Sequence, residues 1–222
     1  MKKIINIISI TTPMIVVIIM LMSYAGCSSN DEPLGNSIKN TVLISETAFE
    51  LKINMRKLWE EHSFWTRNVI LCLVDDLPGT EPAVQRLLQN QVDIGNAFKP
   101  YYGEEAGEKL TKLLYPHVVI GEEVIKAAKS GNTEVLEEAN KRWYANADEI
   151  CEFLSDANPN WELAPMKMMM HDHLKLTSDV VAQRVNKDYD ADVVAHDQAR
   201  EEILVMADML SEGIIKQFQE KF

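Results

Sequence analysis

The chain has 222 residues, 46% of them hydrophobic, with 22 basic against 34 acidic side chains and a net charge of −12. That is enough apolar material for one domain with a substantial core. The acidic balance repels phosphate backbones and argues against nucleic acid as a partner.

Lys2 and Lys3 precede an apolar run from Ile4 to Met22, interrupted by Asn6, Ser9, Thr11, Thr12 and Pro13, and small residues then lead to Cys27. This is the charged, apolar and small-residue order of an export signal. Tyr24-Ala25-Gly26-Cys27 resembles the lipobox of bacterial prolipoproteins, departing from it where Tyr24 replaces the usual Leu. The resemblance implies a signal peptide over 1–26, a diacylglycerol on Cys27, and a protein held by lipid at the extracytoplasmic face of the cell membrane. Two competing readings are ordinary signal cleavage, since Ser23 and Ala25 fit the small-x-small rule, and an uncleaved leader long enough to span a bilayer. The polar, turn-rich segment 27–40 favours the anchor, because it reads as a flexible tether reaching roughly 20 Å. Losing Lys2 and Lys3 with the leader makes the mature domain still more acidic, so the lipid and not surface charge holds it at the membrane.

Residues 41–222 read as a single all-α domain, an up-and-down bundle of about five long helices plus one short one. Apolar residues recur at helical spacing over Thr41–Asp76, Glu81–Ala97, Glu104–Lys129, Thr133–Ser155, Glu162–Asn186 and Ala191–Lys221, with Gly and Pro falling between the periodic stretches. Pro78-Gly79, Pro100 with Gly103, Gly131-Asn132, Asn158-Pro159-Asn160 and Asn186-Lys187-Asp188 supply the breaks. Cys72 and Cys151 fall in apolar helical contexts. They read as free buried thiols, although export permits a disulfide.

The first helix presents the seam Leu51, Met55, Leu58, His62, Trp65, Val69, Cys72; the third gives Leu110, Leu113, His117, Ile120, Val124; the fifth gives Met166, Met169, His173, Leu176, Val180. Each seam is apolar except for one mid-helix histidine, and mid-helix residues of an up-and-down bundle share a layer. The sequence also repeats itself. Leu-Leu-Tyr-Pro-His117 and Met-Met-His-Asp-His173 each open a helix pair that closes on Ala147-Asp148 or Ala207-Asp208, with Ala139 matching Ala199. This predicts a duplicated helical hairpin with one four-residue shift, and Trp59-x-x-His62 beside Trp143-x-x-Asn146 extends the echo to the first helix.

Asp208 stands among Ile203, Leu204, Val205, Met206, Ala207, Met209 and Leu210, so its carboxylate is expected to be buried and in need of a partner. His62, His117, His173 and Asp208 therefore form a candidate transition-metal site for zinc, iron or copper, supported by Asn146, Asp148, Thr66 and Thr177. The bland reading gives the same residues to a hydrogen-bonded network that fixes helix register without binding anything. Neither the Glu-x-x-His of ferritin-like di-iron sites nor the His-x-x-x-Glu of hemerythrin-like sites occurs. Within Met168-Met169-Met170-His171-Asp172-His173, successive side chains fan around the helix, which places Met169 in the core and His171 in solvent; His196 reads as a surface residue. No nucleophile elbow, phosphate loop or His-Glu-x-x-His is present, which leans away from an enzyme. The functional alternative to a metal site is an envelope interaction module using the acidic helices or the Phe98–Gly103 segment, whose Tyr101 and Tyr102 fit either a recognition loop or a cap on the bundle end.

From Leu58 onward, Leu-Trp-Glu-Glu-His-x-x-Trp-Thr-Arg, Phe-x-Pro-Tyr-Tyr-Gly, Trp-Tyr-x-Asn-Ala-Asp and the closing Met-Ala-Asp resemble a group of all-helical exported proteins of spore-forming Gram-positive bacteria. The resemblance covers most of the mature chain. It implies the fold and carries no activity.

Overall fold

The structure is a computed structural model that describes residues 44–222. The leader, Cys27 and the tether lie outside the described residues, as does the start of the first predicted helix. Six helices follow in order: α1 (Glu46–Val74), α2 (Thr80–Tyr102), α3 (Glu104–Ser130), α4 (Thr133–Ala157), α5 (Leu163–Val185) and α6 (Tyr189–Gln217), with a short 3-10 turn at Gln219–Lys221. No strand occurs among the described residues. Local chemistry sets the starts of three helices: the side chains of Ser45, Asn132 and Asp188 each accept a backbone N–H of the first turn at 3.1 Å, satisfying a donor that the helix itself leaves free.

Two expectations about helix breakers change. The second helix does not stop at Ala97 but runs through Pro100 to Tyr102; Pro100 cannot donate to the Asn96 carbonyl, yet the helix continues past it and the turn at Gly103 ends it instead. Gly95 and Gly107 lie inside α2 and α3, where they let the two backbones cross closely: a Cβ on Gly95 would stand 2.7 Å from the Gly107 carbonyl oxygen, and one on Gly107 2.6 Å from that of Gly95. These glycines serve packing, not chain reversal.

The helices form a closed ring in chain order. Each packs on its neighbours, α6 returns to α1, and α1, α3 and α5 also touch one another across the centre. Cross-links fix the up-and-down sense. Lys52–Glu212, Arg56–Asp208, Glu60–Arg200 and Arg67–Asp192 run antiparallel along the α1–α6 seam. At one end of the bundle Lys129 Nζ donates to the Leu73 carbonyl (2.9 Å) and Arg184 pairs with Asp75, joining the C-terminal ends of α1, α3 and α5. At the other end the Tyr102 hydroxyl donates to Gln217 and accepts from Asn158, both at 2.9 Å. Tyr101 packs on Phe218 and Phe222, and Tyr102 on Phe98, Trp161 and Phe218. Of the two readings of the Phe98–Gly103 segment, its rings take the capping one. Burial drives the Tyr102 phenol up to about 12.

The core divides into two apolar clusters. One, toward the aromatic cap, contains Met55, Trp59, Leu110, Leu114, Met166, Met170 and Trp161; the other contains Val69, Ile70, Val118, Ile125, Val180 and Val181. On α1, α3 and α5 the histidines lie between the two. Cys72 and Cys151 are both free, Cys151 fully buried and Cys72 only half-buried.

Candidate functional site

Each odd-numbered helix carries its histidine inward, and each following even-numbered helix brings a polar side chain to the ring. His62 on α1 meets Asn90 on α2 (Nδ1 to Oδ1, 3.2 Å), and His117 on α3 meets Asn146 on α4 (3.0 Å). His173 on α5 meets the carboxylate of Glu202 on α6, with 3.4 Å between Nδ1 and Oε2. The domain is therefore three hairpins, not two. The polar partners 90, 146 and 202 recur every 56 residues, as do Ala83, Ala139 and Ala195, all buried. The predicted four-residue shift is absent. Pairing Ala147-Asp148 with Ala207-Asp208 sets the third hairpin one helical turn out of register, which a pattern of alanines and aspartates on a 3.6-residue helix readily permits.

The asparagines settle the state of two rings. Asn90 Nδ2 donates to the Leu58 carbonyl (2.9 Å) and Asn146 Nδ2 to the Leu113 carbonyl (3.1 Å), in each case one turn before the histidine. Each amide oxygen therefore faces the imidazole, so Nδ1–H is the donor and Nε2 keeps a bare lone pair. Gln91 Nε2 donates to the Leu87 carbonyl at 2.9 Å and reaches the Asn90 oxygen at 3.2 Å, but it also lies 3.1 Å from His62 Nδ1, so around His62 two donors crowd the one amide oxygen. Burial, followed by the proximity of His173 and His117, pushes His62 down to about 3. Burial and then His173 do the same to His117, also to about 3. Both rings are neutral at physiological pH.

The three imidazoles converge as expected. Ring centroids stand 6.0 Å apart for His62 and His173 and 6.3 Å for His117 and His173, and all three residues are buried. Trp59 and Trp143 pack against His62 and His117 from the side, and the Trp143 indole donates to the His117 carbonyl at 2.9 Å. Two small cavities adjoin the layer. One of about 40 Å³ touches all three histidines and Gly121; the other, of about 20 Å³, touches His62, His173 and His196. Thr66 and Thr177 line both. Each is large enough for a water molecule.

The expected carboxylate is the wrong one. Asp208 is not buried: its side chain is 39% exposed and pairs with Arg56 across the α1–α6 seam. Its apolar neighbours misled because they lie on different faces; Val205, one turn earlier on the same side, is 62% exposed. Glu202 takes its place, with both oxygens buried and no protein hydrogen-bond partner, as for His173 Nδ1. An unpaired carboxylate out of water costs several kcal/mol unless it is neutralised or finds a cation.

The expected supporting residues divide. Asn146 holds His117, and Thr177 is buried on the cavity wall. The Thr66 hydroxyl is buried there without a partner, while Asp148 leaves the layer to accept from His171 Nε2 (2.8 Å) on the bundle's outer side. His171, expected in solvent, is 40% exposed, and Met169 packs against the core. His196, read from sequence as a surface residue, is only half-exposed and reaches the smaller cavity. Asn90, Gln91 and Glu202 were not among the predicted site residues. The 56-residue spacing from Asn146 is the signal that finds Asn90 and Glu202.

No family model matches the chain, and no curated protein or solved structure matches it. Among the described residues, no group of three or more His, Cys, Asp or Glu side chains stands close enough to hold a metal ion as it is arranged. Imidazoles sharing one tetrahedral ion at metal–nitrogen distances near 2 Å would have centroids about 5 Å apart, so His62 and His117 each stand about 1 Å farther from His173 than in a loaded site. No helix among the described residues is long and apolar enough to cross a membrane.

Proposed function

We propose that the protein is a lipid-anchored extracytoplasmic bundle that holds a divalent transition-metal ion in its central layer. His62, His117 and His173 supply the nitrogen ligands, and Glu202, in place of Asp208, supplies the negative charge. One observation carries this reading: a carboxylate with both oxygens buried and without a hydrogen bond stands 3.4 Å from His173 Nδ1, and His173 converges with two further imidazoles that are both neutral. A cation answers that imbalance. The Asn90 and Asn146 contacts support it, since metal-binding histidines are commonly oriented by a hydrogen bond from the other ring nitrogen. Neutral imidazole with one carboxylate suits zinc(II), iron(II) or copper(II).

Cobalt(II) titration of the untagged full-length protein tests the site, because tetrahedral cobalt gives strong visible bands. One ion per chain is expected, with the bands lost in His173→Ala and Glu202→Gln. If wild type shows no bands and no metal-dependent rise in melting temperature, the metal reading falls. The layer is then a packing device, and the envelope interaction module becomes the better account.

The anchor rests on the lipobox-like Tyr24-Ala25-Gly26-Cys27 and the polar tether that follows. Cys27→Ser is expected to abolish lipid labelling and release the protein from membranes. Unchanged membrane retention would overturn the lipid reading and point to Ile4–Met22 as an uncleaved span.

A further inference from the structure

The smaller cavity sits between α1, α5 and α6 and has two unlike walls. Its inner wall carries His62, His173, Thr66 and Thr177, which also face the larger cavity, so the two spaces adjoin at these four residues. Its outer wall carries Arg67 and His196. Arg67 is immobilised: both terminal guanidinium nitrogens contact the Asp192 carboxylate, which is 1% exposed and also neighbours Arg184 at 3.5 Å. That pairing offsets the charge of Arg67 and fixes it as a wall. His196 differs, being half-exposed and making no hydrogen bond among the described residues. An imidazole that is unheld, reaches solvent on one side and on the other lines a cavity shared with His62 and His173 has the properties of a transfer ligand.

We infer that His196 is the receiving ligand of an access route to the central layer, capturing a metal ion at the surface and passing it through the Thr66–Thr177 cavity to His62 and His173. The inference rests on the metal reading above and adds the path by which the ion arrives. His196 is not a resident ligand, because the layer is complete without it. Its loss therefore changes how fast the ion moves and leaves how tightly it is held. Asp197 and Asp192 bring negative charge to His196 against the positive charge of Arg67 and Arg200, which are themselves paired with Asp192 and Glu60.

The experiment is stopped-flow cobalt(II) uptake by the full-length protein, followed by the growth of the visible bands, together with release into excess chelator and an equilibrium titration. His196→Ala and the size-preserving His196→Gln are both expected to slow uptake and release by the same factor, with equilibrium affinity unchanged and helical circular dichroism as in wild type. Three results would overturn the inference. Unaltered rates in both variants would remove His196 from the route. Affinity falling together with the uptake rate would make it a ligand of the bound ion. Absence of cobalt binding in wild type would remove the metal reading, and the route with it; the first two failures leave that reading standing.

Discussion

Taken from about pH 7.5 to about pH 5, the metal-free protein is expected to lose as much as about 4 kcal/mol of stability, contributed about equally by His62 and His117. The sign follows from the direction of the shifts. Both rings are held down to about 3 in the folded state, against about 6.5 in an unfolded chain. The unfolded state therefore binds more protons everywhere between those values. The stabilisation is fully present above about pH 6.5 and drains away as the pH falls toward 3. Set against the 5–15 kcal/mol typical of a whole domain, this makes acid the most effective mild denaturant. Urea unfolding at several pH values checks it. The slope of stability against pH is expected to fall by about half in either His62→Gln or His117→Gln and to flatten in the double variant. A wild-type slope near zero over that range would show that the layer tolerates protonation.

The second large effect lies away from the histidines. Asp192→Asn is expected to cost about 3–5 kcal/mol, whereas Asp208→Asn is expected to cost about 1 kcal/mol or less. The contrast follows from burial. Asp192 is 1% exposed and neutralises Arg67, whose side chain is 15% exposed, while also facing Arg184. Deleting its charge strands a buried guanidinium. Asp208 and Arg56 are each about 40% exposed, where water replaces a lost partner at little cost. Equal losses in the two variants, read by thermal or urea unfolding, would contradict the burial assigned to this seam.

Much of the architecture was legible in the sequence because it rests on local signals. Helical periodicity located all six helices to within a few residues at most ends, and one histidine per seam was enough to place three imidazoles in one layer. What escaped depends on helix phase and on pairing between helices. Asp208 reads as buried only if its apolar neighbours share its face, and a helix distributes such a run over all its faces. Glu202 was hidden in Arg200-Glu201-Glu202, which reads as a solvated stretch, although it falls between the buried Ala199 and Met206 on the core side of α6. Asn90 gave no signal by itself. Only the spatial equivalence of the His62–Asn90 and His117–Asn146 contacts reveals the repeat that would have predicted it.

Because α6 returns to α1, the bundle has a beginning and an end that must meet. The neighbouring pairs within the chain close short loops, and each hairpin assembles from local contacts. The α1–α6 seam is different: its bonds join residues 125 to 160 positions apart. Such contacts carry the largest loop-closure entropy and are rewarded only after the rest is in place. Three rungs of the seam are solvent-exposed ion pairs, and only Arg67–Asp192 is a buried one. Zipping the first helix to the last is thus the final and least local step of folding, and the same contact is what makes three hairpins one cooperative unit.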